Sequence, residues 1–298
     1  EAVFLSPVMA NPTGGADTLE KHICIFERAT GEPTWRHFDM FSQALDSRPD
    51  VELIVRFVAT VGNYDYLFDW IFDSKGSLTF RGGATGLDAV KGVKAQHLKD
   101  ATAQSDTAWG QLIAPGRVGI NHDHYLSLRL DVDIDGPKNR FVQERLVAET
   151  QPQGGPRSAV WRVRPEIVKK DSEAKFLLSY ERPSLWRVQS LEKSNALGYP
   201  TSYLLRPGTN ALPLVGEQDS PMARASFANY HLWITPYASE ERYPAGEYPN
   251  QSAPGQGLPA WIKKGRNLDG EDIVLWYTMG FHHVPSAEDW PAYNVGWH

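Results

Sequence analysis

Val51-Glu52-Leu53-Ile54-Val55-Arg56-Phe57-Val58-Ala59 runs into Thr60-Val61-Gly62-Asn63-Tyr64-Asp65-Tyr66 and leaves through Leu67-Phe68-Asp69-Trp70-Ile71-Phe72. The first segment alternates apolar and polar residues, the pattern of a half-buried strand. The last reads as a second strand, and Gly-Asn at the join is ordinary turn chemistry. Two tyrosines at such a corner have two readings. Either they pack into the core, or one of them is held there for its chemistry.

Outward from this corner the pattern repeats. Glu20 to Arg28 alternates and reads as a strand, with Thr30-Gly31-Glu32-Pro33 as the turn that follows. Asp73-Ser74-Lys75-Gly76 is a hairpin signal before Ser77-Leu78-Thr79-Phe80. Gly82-Gly83-Ala84-Thr85-Gly86 lacks the lysine and the strand–helix context of a phosphate loop, so it reads as a loop where backbone approaches backbone. Residues 96–116 are polar and irregular. Val118 to Asp135 reads as one long strand, turned at Gly136-Pro137-Lys138-Asn139 and returning over Asn139 to Ala148. Short strands follow to Thr235, then a long Pro-, Gly- and Tyr-rich surface loop over 236–260. Ile273 to Met279 is a continuous apolar strand. Many short strands with almost no helical periodicity predict an all-β sandwich or barrel, and no internal repeat or clean linker divides residues 1–298.

Composition narrows the function. The chain has 298 residues, 41% hydrophobic and 22% charged, which is globular. A net charge of −6 and a pI near 5.9 argue against a nucleic-acid partner. No apolar run is long enough to span a membrane as a helix. Glu1 is not an initiator Met, and the expectation is a segment of something longer. One cysteine, Cys24, fixes no redox compartment.

His122 and His124 are two apart, so on a strand both imidazoles face one side. That is half of a metal site, and equally the spacing of two surface or core histidines. A third ligand is offered by His282 or His283, at the end of the apolar strand. Three neutral imidazoles with an open position suit copper or zinc. A second cluster, Asp131, Asp133 and Asp135, shares one face of the long strand, opposite to His122 and His124 if that strand has no bulge. Three such carboxylates are either a solvated edge or the ligands of a hard cation.

Taken together, these motifs resemble a known family, the copper-containing primary amine oxidases. The resemblance is carried by Thr60 to Tyr66, Gly82 to Gly92, His122-Asp123-His124, Arg129 to Asp133, Gly154-Gly155-Pro156-Arg157, Tyr243 to Asn250, Gly280-Phe281-His282-His283 and Ala287-Glu288-Asp289-Trp290-Pro291. It implies the family's large antiparallel catalytic β-sandwich over residues 1–298, without its small N-terminal domains and its C-terminal end. It implies that Tyr64 is the precursor of the quinone cofactor topaquinone, which forms a Schiff base with the substrate. Asn63 and Asp65 would flank it, and His122, His124 and His283 would hold copper(II). His282 would lie outside the ligand set. Calcium would sit at Asp131, Asp133 and Asp272, with the carbonyls of Val132 and Ile273. The implied reaction converts a primary amine and dioxygen to an aldehyde, ammonia and hydrogen peroxide. A homodimer is implied, as is an extracellular, periplasmic or peroxisomal location. By the family's spacing the catalytic aspartate, the substrate gate and the partner of Cys24 fall before Glu1; Asp17, Asp39, Asp46 and Asp50 do not match that aspartate. Tyr293 stands where many relatives carry Met, near the dioxygen pocket. The alternative is a catalytically incomplete β-sandwich that binds metal or assembles without turnover.

Overall fold

The structure, a computed structural model, describes residues 1–208, 210–248 and 253–298. Pro249 and Asn250, which close one of the family motifs, lie outside the described residues. Strand makes up 51% and helix 9%, so the all-β expectation holds. The longer strands in chain order are β1 (Ile23–Asp39), β2 (Ala44–Val61), β3 (Tyr64–Asp73), β4 (Leu78–Gly86), β5 (His122–Asp131) and β6 (Asn139–Thr150). They continue as β7 (Ala159–Val168), β8 (Ser184–Ser194), β9 (Pro200–Leu205), β10 (Leu232–Pro236), β11 (Ile273–His283) and β12 (Tyr293–Trp297). The chain forms two compact units, Glu1–His122 with His283–His298, and Asp123–His282.

In the first unit a six-stranded antiparallel sheet runs in the order Val3–Leu5, β1, β2, β3, β4, β12. The Tyr64 corner is a two-residue hairpin turn, with Val61 opposite Tyr64 and Gly62 at φ 64°. A positive φ at the first central residue matches the twist of the flanking strands, and glycine adopts it without strain. The sheet register then sets Tyr64 beside Gly86, and Gly86 beside Tyr293.

Two sequence readings need correction here. Thr30 to Pro33 does not end a strand: β1 runs on to Asp39, and the register slips between Ala29, Pro33 and Trp35. The turn residues are spent on an irregularity within a long hairpin arm. Likewise Gly82 to Gly86 is the end of β4 and not a loop. The close backbone approach is real, however. A Cβ on Gly86 would stand 2.4 Å from the Asn63 carbonyl oxygen, at a φ of 117°.

An ion cluster ties this sheet together. Asp69, fully buried, accepts from Arg56 Nε at 2.6 Å and from Arg81 Nη2 at 2.8 Å. Burial alone would raise its carboxyl, but the two guanidinium bonds prevail and hold it below the usual range. The Arg81 guanidinium also lies 3.9 Å from the Trp297 ring centre, which fastens β12 to β4.

The second unit holds two four-stranded sheets, β5-β11-β10 with Lys175–Phe176, and β7-β6-β8-β9. Phe176 of the first packs 5.2 Å from Phe141 and 6.3 Å from Trp186 of the second, ring centre to ring centre, so the sheets face one another as a sandwich. Residues Ile273 to Gly280 of β11 are all buried, as a continuous apolar run requires.

The long strand expected over 118–135 is two strands, Arg117–Ile120 and β5, and β5 stops at Asp131. Asn139 to Thr150 is not its return partner; β6 pairs with β7 and β8. The chain turns away at Asp135 (φ 55°) and Gly136 (φ 121°). The buried Asn139 fixes that turn, donating to the Gly136 carbonyl and accepting from the Ile134 amide. Residues 96–116 include the strand Gly110–Ala114. Nor is 236–260 only surface: Leu258 is fully buried against Trp233, Ile262, Val274 and Trp276.

Candidate metal centre

The turn at Gly62-Asn63 delivers Tyr64 to the start of β3 with its ring buried, 6% exposed. Its hydroxyl lies 3.3 Å from His283 Nδ1 and donates to Asp88 Oδ1 at 3.4 Å. It accepts from the Ala89 amide at 3.4 Å. The Tyr64 ring centre is 5.6 Å from that of His122 and 5.9 Å from that of His283. Tyr293 covers the other ring, 4.5 Å from His283. The tyrosine is therefore both a core residue and a neighbour of the histidines, so the two sequence readings of the corner are not exclusive.

His122 opens β5 and His283 closes β11. His122 Nδ1 is 2.6 Å from the Ile120 carbonyl, so that nitrogen carries the proton and Nε2 keeps its lone pair for a metal. His124 follows on the same strand, buried and stacked on Phe281 at 4.7 Å. His122, His124 and His283 each offer one ring nitrogen, and the three atoms lie within 4.8 Å of one another. Burial, then the neighbouring His122, pushes the His283 imidazole below its usual range. It is neutral near pH 7, as a ligand must be. Three neutral imidazoles fit a borderline cation such as copper or zinc. His282 is turned elsewhere, with Nδ1 2.7 Å from Asp123 Oδ1.

Asn63 is exposed at the turn, and its carbonyl accepts from the Leu87 amide at 2.8 Å. Asp65 is tied across the hairpin to the Thr60 hydroxyl at 2.5 Å. Sequence reasoning gave no role to Asp88, which is 1% exposed beside Tyr64. Burial, then the charge of Asp289, pushes its carboxyl up. Burial likewise raises the Tyr64 phenol. The signal in the sequence was a lone carboxylate in the apolar run Leu87-Asp88-Ala89-Val90.

The carboxylate cluster departs from the strand-face reading. Because β5 ends at Asp131, Asp133 and Asp135 are not on it, and the Asp135 carboxylate takes the Thr201 hydroxyl instead. The cluster that forms is Asp131, Asp133 and Asp272, one oxygen from each within 4.8 Å of the others. Val132 sits between the first two, and Ile273 follows Asp272 at the start of β11. Asp272 Oδ1 is buried and finds no hydrogen-bond partner among the described residues. Burial, then Asp131 and Asp133, raises the Asp272 carboxyl. An all-oxygen anionic set of this kind fits a hard cation.

Comparison with known proteins agrees with this geometry. The family model described as "Copper amine oxidase, enzyme domain" matches residues 1–297. The chain belongs to the copper amine oxidase family. Among its relatives in this family, the peroxisomal copper-containing amine oxidase alpha 3 of Arabidopsis thaliana is 39% identical over 296 residues, covering 98% of this chain and 43% of the relative. The primary amine oxidase of Klebsiella aerogenes is 37% identical, covering 99% and 40%. The crystal structure of a copper-containing benzylamine oxidase from Hansenula polymorpha matches with a TM-score of 0.88 at 25% identity, over 100% of this chain and 46% of that one. The chain thus spans about two fifths of the length of these curated relatives.

Proposed function

We propose that this chain is the metal-bearing part of an enzyme that oxidises primary amines to aldehydes, releasing ammonia and hydrogen peroxide. His122, His124 and His283 hold copper(II), and Tyr64 is the residue converted to topaquinone. The observation that carries this reading is the Tyr64 hydroxyl, buried 3.3 Å from His283 Nδ1 in the same space as the His122 ring. Copper, when bound, supplies one-electron chemistry with dioxygen, and the quinone supplies an electrophilic carbonyl that can accept two electrons. The chain's own residues prepare the place. The Ile120 carbonyl selects the His122 tautomer. Burial keeps His283 neutral. The Gly62-Asn63 turn and the Thr60–Asp65 bond hold the hairpin that carries Tyr64.

Asp131, Asp133 and Asp272, with the carbonyls of Val132 and Ile273, hold calcium in a structural role. The buried, unpartnered Asp272 oxygen supports that assignment. The two units act as one catalytic domain, and the enzyme is a homodimer as in the family. Among the described residues no helix is long and apolar enough to cross a membrane. The deciding experiment is phenylhydrazine titration after copper and air are added. The reading expects a coloured adduct in the wild type and none in Tyr64→Phe, with copper still bound. A metal-binding module without turnover gives copper binding and no adduct in either.

A further inference from the structure

Asp88 is the least compensated charge in the first unit. Its side chain is fully enclosed. Oδ2 has no hydrogen-bond partner among the described residues. Oδ1 receives only the Tyr64 hydroxyl at 3.4 Å and stands 3.6 Å from His283 Nε2. No Lys or Arg pairs with it among the described residues. A carboxylate charge buried in this state is strongly destabilising unless a proton, a cation or a full set of donors answers it. Oδ1 is near the ring that closes the imidazole cluster.

We propose that Asp88 is the anionic partner of the metal centre, pairing with the His283 imidazole so that a bound divalent cation balances its buried charge. In this carboxylate–histidine–metal relay Asp88 Oδ1, 3.6 Å from His283 Nε2, would take that N–H and orient the imidazole, leaving Nδ1 for the ion. Asp88 is a positioning residue here, acting on the metal through His283. The inference rests on the metal-binding part of the proposed function and needs none of the quinone chemistry.

Zinc(II) is the probe, because it is redox-silent and no quinone forms with it. Calorimetric titration compares the metal-free wild type with D88N and D88L. The proposal expects zinc affinity to fall about 10- to 100-fold in both variants. Thermal melts supply a second signature. Metal-free D88L melts above the metal-free wild type, because a buried charge is gone, and its gain in melting temperature on adding zinc is smaller. A purely structural Asp88 gives the opposite pattern, a lower metal-free melt with unchanged affinity. Should D88L not fold, the nearly isosteric D88N decides by affinity alone. Unchanged zinc affinity in the folded variants overturns the proposal, as does a wild type that binds no zinc. A wild type that binds zinc yet gains no phenylhydrazine-reactive group with copper and air sinks the oxidase reading and leaves Asp88 to the zinc comparison.

Discussion

At the scale of single residues, the site is built on close backbone contact. Gly86 lets the β3–β4 pair reach the Asn63 carbonyl, and any side chain there meets that oxygen at 2.4 Å with a φ that L-residues avoid. Gly86→Ala should therefore lose about 1–3 kcal/mol of stability, read by denaturant unfolding. The displacement falls on Tyr64, its strand neighbour, so the phenylhydrazine adduct should drop with it. A Gly86→Ala protein with wild-type stability would mean that the turn yields freely. His122 and His124 were legible from the sequence because a strand repeats every two residues and their spacing needs nothing else. Asp88 was not legible as part of the site. Its place depends on the register of β3 against β4, which sets Tyr64 opposite Gly86 and lets residues 88 and 89 turn back over the tyrosine.

At the scale of elements, charge pairs decide where strands stay. Asp69 joins β2, β3 and β4 through Arg56 and Arg81. Its carboxyl is held low in the folded state, so the unfolded chain takes up its proton first as pH falls. The stability it contributes is complete above the ordinary aspartate range near 4 and is lost as pH drops through the lower folded value. Asp69→Asn should flatten the acid limb of the stability profile below pH 4, measured by urea unfolding across pH. His231 behaves in the opposite chemical sense. It is buried, its Nδ1 accepts from the Leu178 amide at 3.0 Å, and burial holds its imidazole below the usual range. Protonation is easier unfolded, so stability should fall as pH drops below about 6.5. His231→Gln should remove that slope in the same experiment. The end of β5 shows the limit of pattern reading at this scale. Alternation alone carries the strand on to Asp135, but the Asn139 side chain and the left-handed Asp135 stop it at Asp131. Hence the carboxylate cluster recruits Asp272, 139 residues beyond Asp133, which only the family resemblance supplied.

At the scale of the whole molecule, each unit carries its own core and its own buried ions. In Asp123–His282, Arg266 donates to both Asp171 and Glu241, carboxylates that are 0% and 2% exposed, and Lys264 also donates to Glu241. Arg266→Ala strips the buried Asp171 of its side-chain cation and leaves Glu241 to Lys264 alone, and should cost about 3–5 kcal/mol, seen as a large fall in the urea midpoint. Replacing it with Lys should recover only part, since one ammonium cannot reach both carboxylates in fork geometry. The all-β class was legible from short alternating runs, whereas the division into sheets depended on long-range pairings that periodicity does not encode. The central proposal is chemical: Tyr64 is the residue oxidised by copper held at His122, His124 and His283. Peptide mass analysis of the metal-free protein, after incubation with copper or zinc in air, addresses it directly. The account predicts a gain of two oxygens less two hydrogens, confined to the Tyr64 peptide and present only with copper. An unchanged Tyr64 peptide in protein that has bound copper would contradict it.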